Sequence, residues 1–304
     1  MGKTAVVFPG QGSQFVGMGK DFYDACPEVK AVFDSADKAL GYSLTKIMFE
    51  GSEDELKTTY NTQPALLTMS YGIWQVVKDK VKADFFAGHS LGEYSAVAAA
   101  GGLTFEEAVV AVHNRGRFMQ EAVPVGVGAM AAVMGIDDEA VVETCKEVSG
   151  VKVVEPANFN CPGQIVVAGH KEAVEEFSEK IKAKGAKRAM LLPVSAPFHC
   201  SLMKPARDKM AEYLKNNVSI KDLSVPVFNN VDAKEETAAA DVYDALCRQV
   251  DGAVLWTTLI KNMIESGVDR FVEVGAGQVL TGLIKKIDKN VTVENISKVA
   301  DIAG

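Results

Sequence analysis

The pentapeptide Gly88-His89-Ser90-Leu91-Gly92 places a serine between small residues, where an apolar run gives way to an alanine-rich segment. Between a strand and a helix, this spacing is typical of a nucleophile elbow, a tight turn that exposes the serine hydroxyl. Backbone N–H groups are free at a helix start, so the Leu91 amide could help to hold an oxyanion. A serine in such a position can also be a simple helix N-cap, but the flanking elements favour the elbow.

A serine nucleophile needs a general base, and the chain has four candidates: His89, His113, His170 and His199. His89 is adjacent to the serine and is expected to point elsewhere, whereas His113 lies within a helical pattern and His170 begins one. His199 lies in an irregular stretch after a proline, and loops often carry catalytic groups. We therefore predict that His199 is the base and that the other histidines are packing or surface residues.

The acid that would orient His199 is not obvious from the sequence. In an α/β-hydrolase the acid precedes a histidine late in the chain, but here 105 residues follow His199. Acidic candidates before it, such as Asp137 and Asp138, fall in a different segment of the chain. A dyad oriented by a backbone carbonyl is the favoured interpretation.

Helix geometry gives a position for Arg115. A helix over 91–100 rises about 15 Å away from the serine, and an antiparallel helix started by the capping box Thr104–Glu107 returns about as far by its eleventh residue. The guanidinium is therefore expected beside Ser90, where it could bind a carboxylate on the acyl group bidentately. The alternative interpretation of Arg115, as of Arg117, is a solvated helix arginine.

Composition narrows the class of protein further. The 304 residues are 48% hydrophobic and 24% charged, which suits a chain with a full globular core rather than a disordered one. The net charge of −8 argues against nucleic acid as the main partner. No stretch approaches the roughly 18 uninterrupted apolar residues of a membrane span, so no membrane association is expected.

The cysteines and glycine motifs point to no cofactor. Five cysteines are scattered without C-x-x-C spacing, which suits a reducing compartment, and the first residues do not resemble a signal peptide, so we expect a cytoplasmic protein. The His and Cys spacing predicts no metal site. Segment 275–280 has only two glycines of a dinucleotide fingerprint, and segment 12–20 lacks the spacing of a phosphate-binding loop.

The elements that must position these residues follow an α/β order. We predict strand 4–8, helix 62–80, strand 84–87 and two antiparallel helices over 91–100 and 104–123. After residue 193 the alternation resumes with these elements: helix 201–215, strand 225–228, helices 239–250 and 255–265, strand 270–274 and helix 278–286. Such alternation predicts a mostly parallel sheet.

The intervening segment has a different pattern, β-α-β-β-α-β. Its predicted elements are the apolar run 128–135, helix 137–147, strands 151–155 and 164–169, helix 170–183 and strand 187–192. This is the order of the split βαβ motif, which can form a compact unit on its own antiparallel sheet. We predict a small inserted domain at 126–193 and a discontinuous large domain comprising 1–125 and 194–304.

Six blocks of the sequence resemble the malonyl-CoA:acyl carrier protein transacylase family. They are VFPGQGSQ at 7–14, TQPALLT at 62–68, GHSLGEYSA at 88–96, RGRFMQEAVP at 115–124, NFNCPGQIVVAG at 158–169 and PFHCSLMKPA at 197–206. Single blocks are weak evidence, whereas six in the family's order over most of the chain are specific. The resemblance implies a hydrolase-like, mostly parallel core with a ferredoxin-like small domain, as in the pattern above.

The resemblance also implies roles for the catalytic residues. In that family the serine matched by Ser90 takes the malonyl group from CoA and passes it to the phosphopantetheine thiol of acyl carrier protein, and His199 matches the base. Gln11 matches the residue whose backbone amide joins that of Leu91 in the oxyanion hole. Gln249, seven residues before Trp256, matches the residue whose carbonyl orients the histidine.

Further positions match residues that contact the acyl group. Arg115 matches the arginine that binds the malonyl carboxylate, and Met119 and Asn160 match positions that line the acyl pocket. Phe198 is the larger residue of malonyl-selective members, where some bacterial relatives carry serine. The implied partners are malonyl-CoA and holo acyl carrier protein, with no cofactor, and we expect a monomer.

Two other functions fit parts of the pattern. A serine esterase or thioesterase would use the same elbow and histidine, but a hydrolase of neutral esters needs no cation facing the acyl chain, so Arg115 favours the transferase. A non-catalytic protein that docks acyl carriers and kept only the fold is the remoter alternative, and the presence of Ser90, His199 and Arg115 argues against it.

Overall fold

Residues 2–194 and 196–303, which the computed structural model describes, form ten strands and thirteen α-helices. The strands are β1 (Lys3–Phe8), β2 (Phe85–Gly88), β3 (Gly128–Met134), β4 (Val154–Cys161), β5 (Gln164–His170), β6 (Arg188–Leu191), β7 (Val227–Phe228), β8 (Glu235–Glu236), β9 (Val268–Val274) and β10 (Thr292–Ile296). The helices are α1 (Lys20–Ala25), α2 (Pro27–Leu40), α3 (Leu44–Glu50), α4 (Glu53–Lys57), α5 (Thr59–Val77), α6 (Gly92–Ala99), α7 (Phe105–Ala122), α8 (Asp138–Val148), α9 (Lys171–Ala183), α10 (Lys204–Asn217), α11 (Ala239–Arg248), α12 (Trp256–Glu265) and α13 (Val279–Ile287).

Six strands form the larger sheet, in the order β10-β9-β1-β2-β7-β8. Every neighbouring pair is parallel except β7 and β8, which are antiparallel. The predicted mostly parallel core is therefore confirmed. Because β1 and β2 are parallel neighbours, with Phe8 opposite Gly88, the loops that follow these two strands leave the same edge of the sheet.

Both faces of the larger sheet are covered. On β1, Val6 and Phe8 pack into a core shared with helices α2, α5, α6 and α7. Ala5 and Val7 point to the opposite face and pack with residues of α12 and α13. Alternate residues of a strand face opposite sides, so the uninterrupted apolar run in β1 is the expected signature of a buried parallel strand.

The smaller sheet is antiparallel, in the order β4-β5-β3-β6. With α8 and α9 it has the predicted ferredoxin-like arrangement. On β3, Ala131 and Val133 pack against these two helices, whereas Met130 and Ala132 join the core of the larger sheet. One face of the small sheet thus covers the large core, while the domain boundaries at 126 and 193 stay a prediction.

The predicted strand 151–155 is wrong in its bounds, since β4 runs from Val154 to Cys161. The register of β4 against β5 shifts between Pro156 and Asn158, and again between Phe159 and Cys161. These irregularities break the period-2 alternation by which a strand is recognised. The polar NFNC segment is for that reason a strand that sequence periodicity misses.

The predicted helix 62–80 is displaced, since α5 spans Thr59–Val77 and holds Pro64 inside it. A proline inside a helix leaves the carbonyl four residues earlier without its partner. Here that carbonyl belongs to Tyr60, and it accepts a hydrogen bond from His113 Nδ1 at 2.9 Å. Helix α7 therefore supplies the hydrogen bond that Pro64 removes, which allows a residue typical of a first turn to lie inside α5.

Several elements were not predicted from the sequence. Four helices, α1 to α4, fill the stretch between β1 and α5, and the edge strands β8 and β10 were also missed. Helices α1, α3 and α4 have five to seven residues and β8 has two, which is too little for periodicity to stand out. Helix α2 has 14 residues and β10 has five, so their length does not explain why they were missed. No helix in the described part of the chain has both the length and the apolar character needed to span a membrane.

Candidate active site

Ser90 occupies the turn between β2 and α6. Its φ is 53°, in the left-handed region that residues other than glycine rarely adopt. Two glycines permit the turn, because a Cβ on Gly88 would overlap the Gly92 backbone, and a Cβ on Gly92 would overlap the Phe8 carbonyl. The small residues on both sides of Ser90 are therefore a steric requirement of the turn.

His199 lies next to the serine in space. Its Nε2 is 2.7 Å from Ser90 Oγ, and its Nδ1 faces the backbone carbonyl oxygens of Gln249 at 2.9 Å and Gly252 at 3.2 Å. Carbonyl oxygens only accept hydrogen bonds, so Nδ1 must carry the imidazole proton. Nε2 is then left as the acceptor for the Ser90 hydroxyl, which is the tautomer a general base needs.

Arg115 reaches the same hydroxyl from α7, at the position that helix geometry predicted. Its Nη2 donates to Ser90 Oγ at 3.1 Å and to Gln249 Oε1 at 2.7 Å, and its Nη1 donates to Gln63 Oε1 at 2.8 Å. The side chain is 1% exposed. Every hydrogen-bond partner that the described residues offer it is neutral, so the buried cation is suited to an anionic ligand.

Burial sets the charge states of the site. Desolvation, followed by the nearby Arg115 charge, lowers the pKa of His199 to about 3. The imidazole is therefore neutral at neutral pH and able to accept a proton. Burial also lowers the pKa of Arg115, but the ordinary value for arginine is so high that the guanidinium stays charged.

Two side-chain amides hold the serine backbone. Asn230 Oδ1 accepts from Ser90 N at 2.7 Å, and Asn230 Nδ2 donates to the Gly88 carbonyl at 2.7 Å. Gln249 Nε2 donates to the Ser90 carbonyl at 2.8 Å. Both amides are fully buried. They fix the strained turn from behind, which holds the hydroxyl at a defined place.

The Ser90 hydroxyl faces a cavity of about 200 Å³ between the two sheets. The side of the large sheet contributes the polar groups of the site together with Gln63 and Met119. The small sheet and the segment after it contribute these further residues: Met130, Asn158, Asn160, Gln164, Val166, Leu192 and Val194. A pocket with apolar walls and a few converging polar groups is typical of a small-molecule site.

The predicted oxyanion-hole amides lie beside the serine. Leu91 is the residue after Ser90, at the start of α6, and Gln11 lines the cavity in the loop after β1. Within the described residues, neither the Leu91 nor the Gln11 N–H donates a hydrogen bond. Gly10 permits the approach of the loop, because a Cβ there would clash with the His89 backbone. Free amides at this edge are what oxyanion stabilisation requires.

The structure brings together all nine residues that the sequence singled out. Seven line the cavity, namely Gln11, Ser90, Arg115, Met119, Asn160, Phe198 and His199. The other two adjoin Ser90, since Leu91 follows it in the chain and the Gln249 amide donates to its carbonyl. Met119 also contacts Gln63, whose Nε2 lies 3.8 Å from its sulfur.

The position of His89 differs from the prediction that this side chain points away from the site. Instead of pointing away, it lines the cavity, and its Nε2 is 2.8 Å from Asn160 Oδ1. Burial lowers its pKa, so the ring is neutral, and it contacts the Trp256 ring at 5.5 Å between centroids. The pair of His89 and Asn160 links the serine turn to β4 of the small sheet.

Sequence reasoning missed three buried residues, Gln63, Glu93 and Asn230. Gln63 and Glu93 lie in blocks that carried the family resemblance, TQPALLT and GHSLGEYSA, although no role was assigned to either. Asn230 follows the two-residue strand β7 and has no local sequence signal. No group of three or more His, Cys, Asp or Glu residues in the described part of the chain is arranged to hold a metal ion.

The fold and the site together define a class, the α/β enzymes that can carry an acyl group on a serine. A family model described as the acyl transferase domain matches residues 5–304. The malonyl CoA-acyl carrier protein transacylase of Escherichia coli (strain K12) is 49% identical over 306 residues, covering 100% of this chain and 98% of the relative. The chain therefore belongs to the acyl transferase family, within the group of malonyl CoA-acyl carrier protein transacylases.

Solved structures agree with this assignment. An acyl carrier protein S-malonyltransferase from Vibrio cholerae has a TM-score of 0.96 and 45% identity, with 99% of each chain covered. A malonyl-transacylase in complex with its type II PKS acyl-carrier protein also has a TM-score of 0.96, with 46% identity and coverage of 99% of this chain and 98% of that one. These proteins resemble the present chain over its whole length.

Proposed function

We propose that this protein transfers a malonyl group from malonyl-CoA to the phosphopantetheine thiol of holo acyl carrier protein, through a malonyl ester on Ser90. The observation that carries the proposal is that one hydroxyl, Ser90 Oγ, contacts both a neutral imidazole and a buried guanidinium. The first group can activate the serine, and the second can select an acyl group that bears its own carboxylate. The names of the relatives support the same donor and acceptor.

In the first half-reaction, Ser90 Oγ attacks the thioester carbonyl while His199 Nε2 takes the hydroxyl proton. The negative charge that develops on the carbonyl oxygen is held by the amides of Leu91 and Gln11. When the C–S bond breaks, the proton moves from Nε2 to the leaving CoA thiolate. The products are free CoA and the malonyl ester of Ser90.

The second half-reaction reverses these roles. The pantetheine thiol gives its proton to His199 Nε2 as its sulfur attacks the ester carbonyl, and the C–O bond to Ser90 breaks. The proton then returns to Ser90 Oγ, which restores the free enzyme. One base thus serves both halves of a ping-pong cycle, and the carbonyls of Gln249 and Gly252 keep it in one tautomer throughout.

Recognition of the acyl group is assigned to Arg115. In the free protein its Nη2 donates to Ser90 Oγ and its Nη1 to a neutral amide. A malonyl carboxylate that enters the cavity would form a charge-assisted, bidentate pair with this guanidinium. Met119, Asn160 and Phe198 line the space in which the acyl chain would lie.

The proposal is tested on purified protein with malonyl-CoA followed by holo acyl carrier protein. Intact-mass and peptide analysis should find one malonyl group on Ser90, and the carrier should remove it. Ser90→Ala should form no acyl-enzyme. His199→Ala should slow both half-reactions together by about 10²–10⁴-fold, because general base catalysis contributes that much.

Two results would overturn the transferase assignment. Release of free malonate at the rate at which the serine ester decays, with no transfer to the carrier, would indicate a thioesterase. A normal malonyl adduct on Ser90→Ala would show that another residue carries the acyl group.

We further propose that the reaction uses no cofactor, since the thioester is already activated and a side chain supplies the nucleophile. A cytoplasmic monomer is the expected form. The five cysteines are free thiols, four of them buried, as suits a reducing compartment, and a single chain contributes every group assigned to the site. Light scattering during gel filtration tests the oligomeric state directly.

A further inference from the structure

Glu93 is an ionisable residue that the proposed mechanism leaves without a role. It lies in the first turn of α6, three residues after Ser90, and is 0% exposed. Its Oε2 accepts from the Asn230 backbone N–H at 2.8 Å and from Gln249 Nε2 at 3.0 Å. Its Oε1 has no partner among the described residues. Burying a carboxylate is costly, so a structure that retains one needs a specific reason for it.

The two hydrogen bonds of Glu93 lead to the two residues that hold the Ser90 backbone. Asn230 binds the carbonyl of Gly88 and the amide of Ser90, and Gln249 binds the carbonyl of Ser90. One carboxylate oxygen is therefore the common anchor for three backbone contacts of the turn. Loss of that anchor would release the Gln249 amide directly and would loosen Asn230 through its backbone N–H.

The orientation of the Gln249 amide depends on its neighbours. Its Nε2 donates to the Ser90 carbonyl and to Glu93, and its Oε1 accepts from Arg115 Nη2 at 2.7 Å. A flipped amide would place its N–H groups against the guanidinium and its oxygen against two acceptors. The carboxylate therefore helps to point Gln249 Oε1 at Arg115, while the main-chain carbonyl of the same residue holds His199.

We propose that Glu93 is a positioning residue, whose carboxylate orients the Gln249 amide and thereby fixes Arg115 and the Ser90 turn for malonyl transfer. The inference rests on the proposed function and adds to it a residue that touches neither the substrate nor the reacting atoms. This positioning role depends more on the length of the Glu93 side chain and on its acceptor oxygen than on its charge.

Two conservative variants separate these properties. Glu93→Gln keeps the length and one acceptor oxygen but removes the charge, and its N–H₂ can take the place of the unpartnered Oε1. Glu93→Asp keeps the charge but is one methylene too short to hold both donors. We expect Glu93→Asp to lose roughly 10- to 100-fold in malonyl kcat/KM and Glu93→Gln to lose clearly less.

The readout that a merely structural role would not move is acyl selectivity. Rates of Ser90 acylation by malonyl-CoA and by acetyl-CoA are compared, because only the malonyl group uses Arg115. Glu93→Asp should lower the malonyl-to-acetyl ratio about tenfold, whereas Glu93→Gln should keep the ratio near its wild-type value. In a Gln249→Ala background, Glu93→Asp should change the ratio no further, since the residue through which it acts is gone.

Glu236→Asp is the matched control. Glu236 is also a buried carboxylate with an unpartnered Oε1, but its Oε2 accepts from Asn229, and it has no hydrogen bond to Ser90, Gln249 or Arg115 within the described residues. Shortening it should leave the malonyl-to-acetyl ratio unchanged. Thermal unfolding of each variant is measured in parallel, and rates are expressed per folded enzyme.

Several outcomes would overturn the positioning role. Glu93→Asp could keep the wild-type malonyl-to-acetyl ratio, or Glu93→Gln could lose more malonyl kcat/KM than Glu93→Asp. Alternatively, Glu93→Asp could lower the ratio in the Gln249→Ala background by as much as it does in the wild type. Failure of the proposed function is distinguishable from these, because the wild-type protein would then not be labelled on Ser90 by malonyl-CoA or would not pass the label to the carrier.

Discussion

The two walls of the cavity differ in kind. The wall on the large sheet carries the groups that can move protons or bind charge, Ser90, His199 and Arg115, each fixed by several hydrogen bonds. Among the described residues, the wall on the small sheet carries no charged group, since the apolar Met130 and Val166 line it beside the neutral amides of Asn158, Asn160 and Gln164. Chemistry and charge recognition therefore belong to one wall, and the shape of the acyl site belongs to the other. The two properties should be separable by substitution.

Removal of Arg115 should have the largest effect on this division. Breaking a buried charge pair costs about 3–5 kcal/mol, so Arg115→Ala should lose roughly 10²–10⁴-fold in kcat/KM for malonyl-CoA. Acetyl-CoA has no carboxylate to pair, so its kcat/KM should stay level or rise. Arg115→Lys should recover only part of the loss, because an ammonium keeps the charge but not the bidentate geometry.

Steady-state kinetics with both thioesters on the wild type and the two variants measure this directly. Arg117→Ala is the control, since that arginine lies on the same helix with its side chain 51% exposed and paired to Glu121. Equal losses for malonyl-CoA and acetyl-CoA in Arg115→Ala would show that the arginine supports the fold of the large-sheet wall rather than selecting the acyl group.

A smaller effect is expected on pH dependence. The pKa of His199 is lowered to about 3 by its burial and by the Arg115 charge. The base stays neutral and active as pH falls, so the acid limb of kcat/KM should lie well below the ordinary histidine value near 6.5. Arg115→Ala removes the second-largest of the causes that lower this pKa, after burial and ahead of the neighbouring His89, so the pKa of His199 should rise and the limb should move to higher pH.

The position of the acid limb in wild type and Arg115→Ala is measured by single-turnover acylation after a brief pH jump. Acetyl-CoA is the substrate, because its binding does not use the arginine. Glu93 also titrates nearby, since burial raises its pKa to about 7, and the Glu93→Gln variant removes that contribution. An acid limb at the same pH in wild type and Arg115→Ala would mean that the guanidinium charge does not reach His199.

The difference between local sequence signals and long-range contacts explains which site residues the sequence could predict. Ser90, His199 and Arg115 were found because a turn motif, a short list of histidines and the rise of two helices constrain them. Gln11, Gln249, Met119, Asn160 and Phe198 came only from resemblance, since nothing local marks them. Asn230 and Glu93 were missed because their role depends on long-range contacts, with Asn230 lying 140 residues from the serine that it binds.

The fold shows a similar limit. The parallel core and the small antiparallel sheet follow from element order, because alternating strands and helices pack as layers around a mostly parallel sheet. The bounds of β4 were wrong because register shifts in the strand hide its period. Pro64 misled the start of α5 because His113, on a different helix, satisfies the carbonyl that the proline leaves free.

The smallest predicted effect concerns the small-sheet wall. Val166 lines the cavity, whereas Val167, the next residue on β5, points to the opposite face and packs with α8 and α9. Val166→Ala should enlarge the acyl site and raise the kcat/KM for methylmalonyl-CoA relative to malonyl-CoA by about tenfold or less, since one carbon in an apolar pocket is worth little more. The pH profile should not change, because no proton-carrying group is touched.

Val167→Ala is the matched control, which should cost roughly 1–3 kcal/mol of unfolding free energy and leave the substrate ratio unchanged. Competition between the two thioesters, with mass analysis of the acyl group on Ser90, measures the ratio, and a shift of equal size in both variants would show that the small sheet affects selectivity through stability rather than shape.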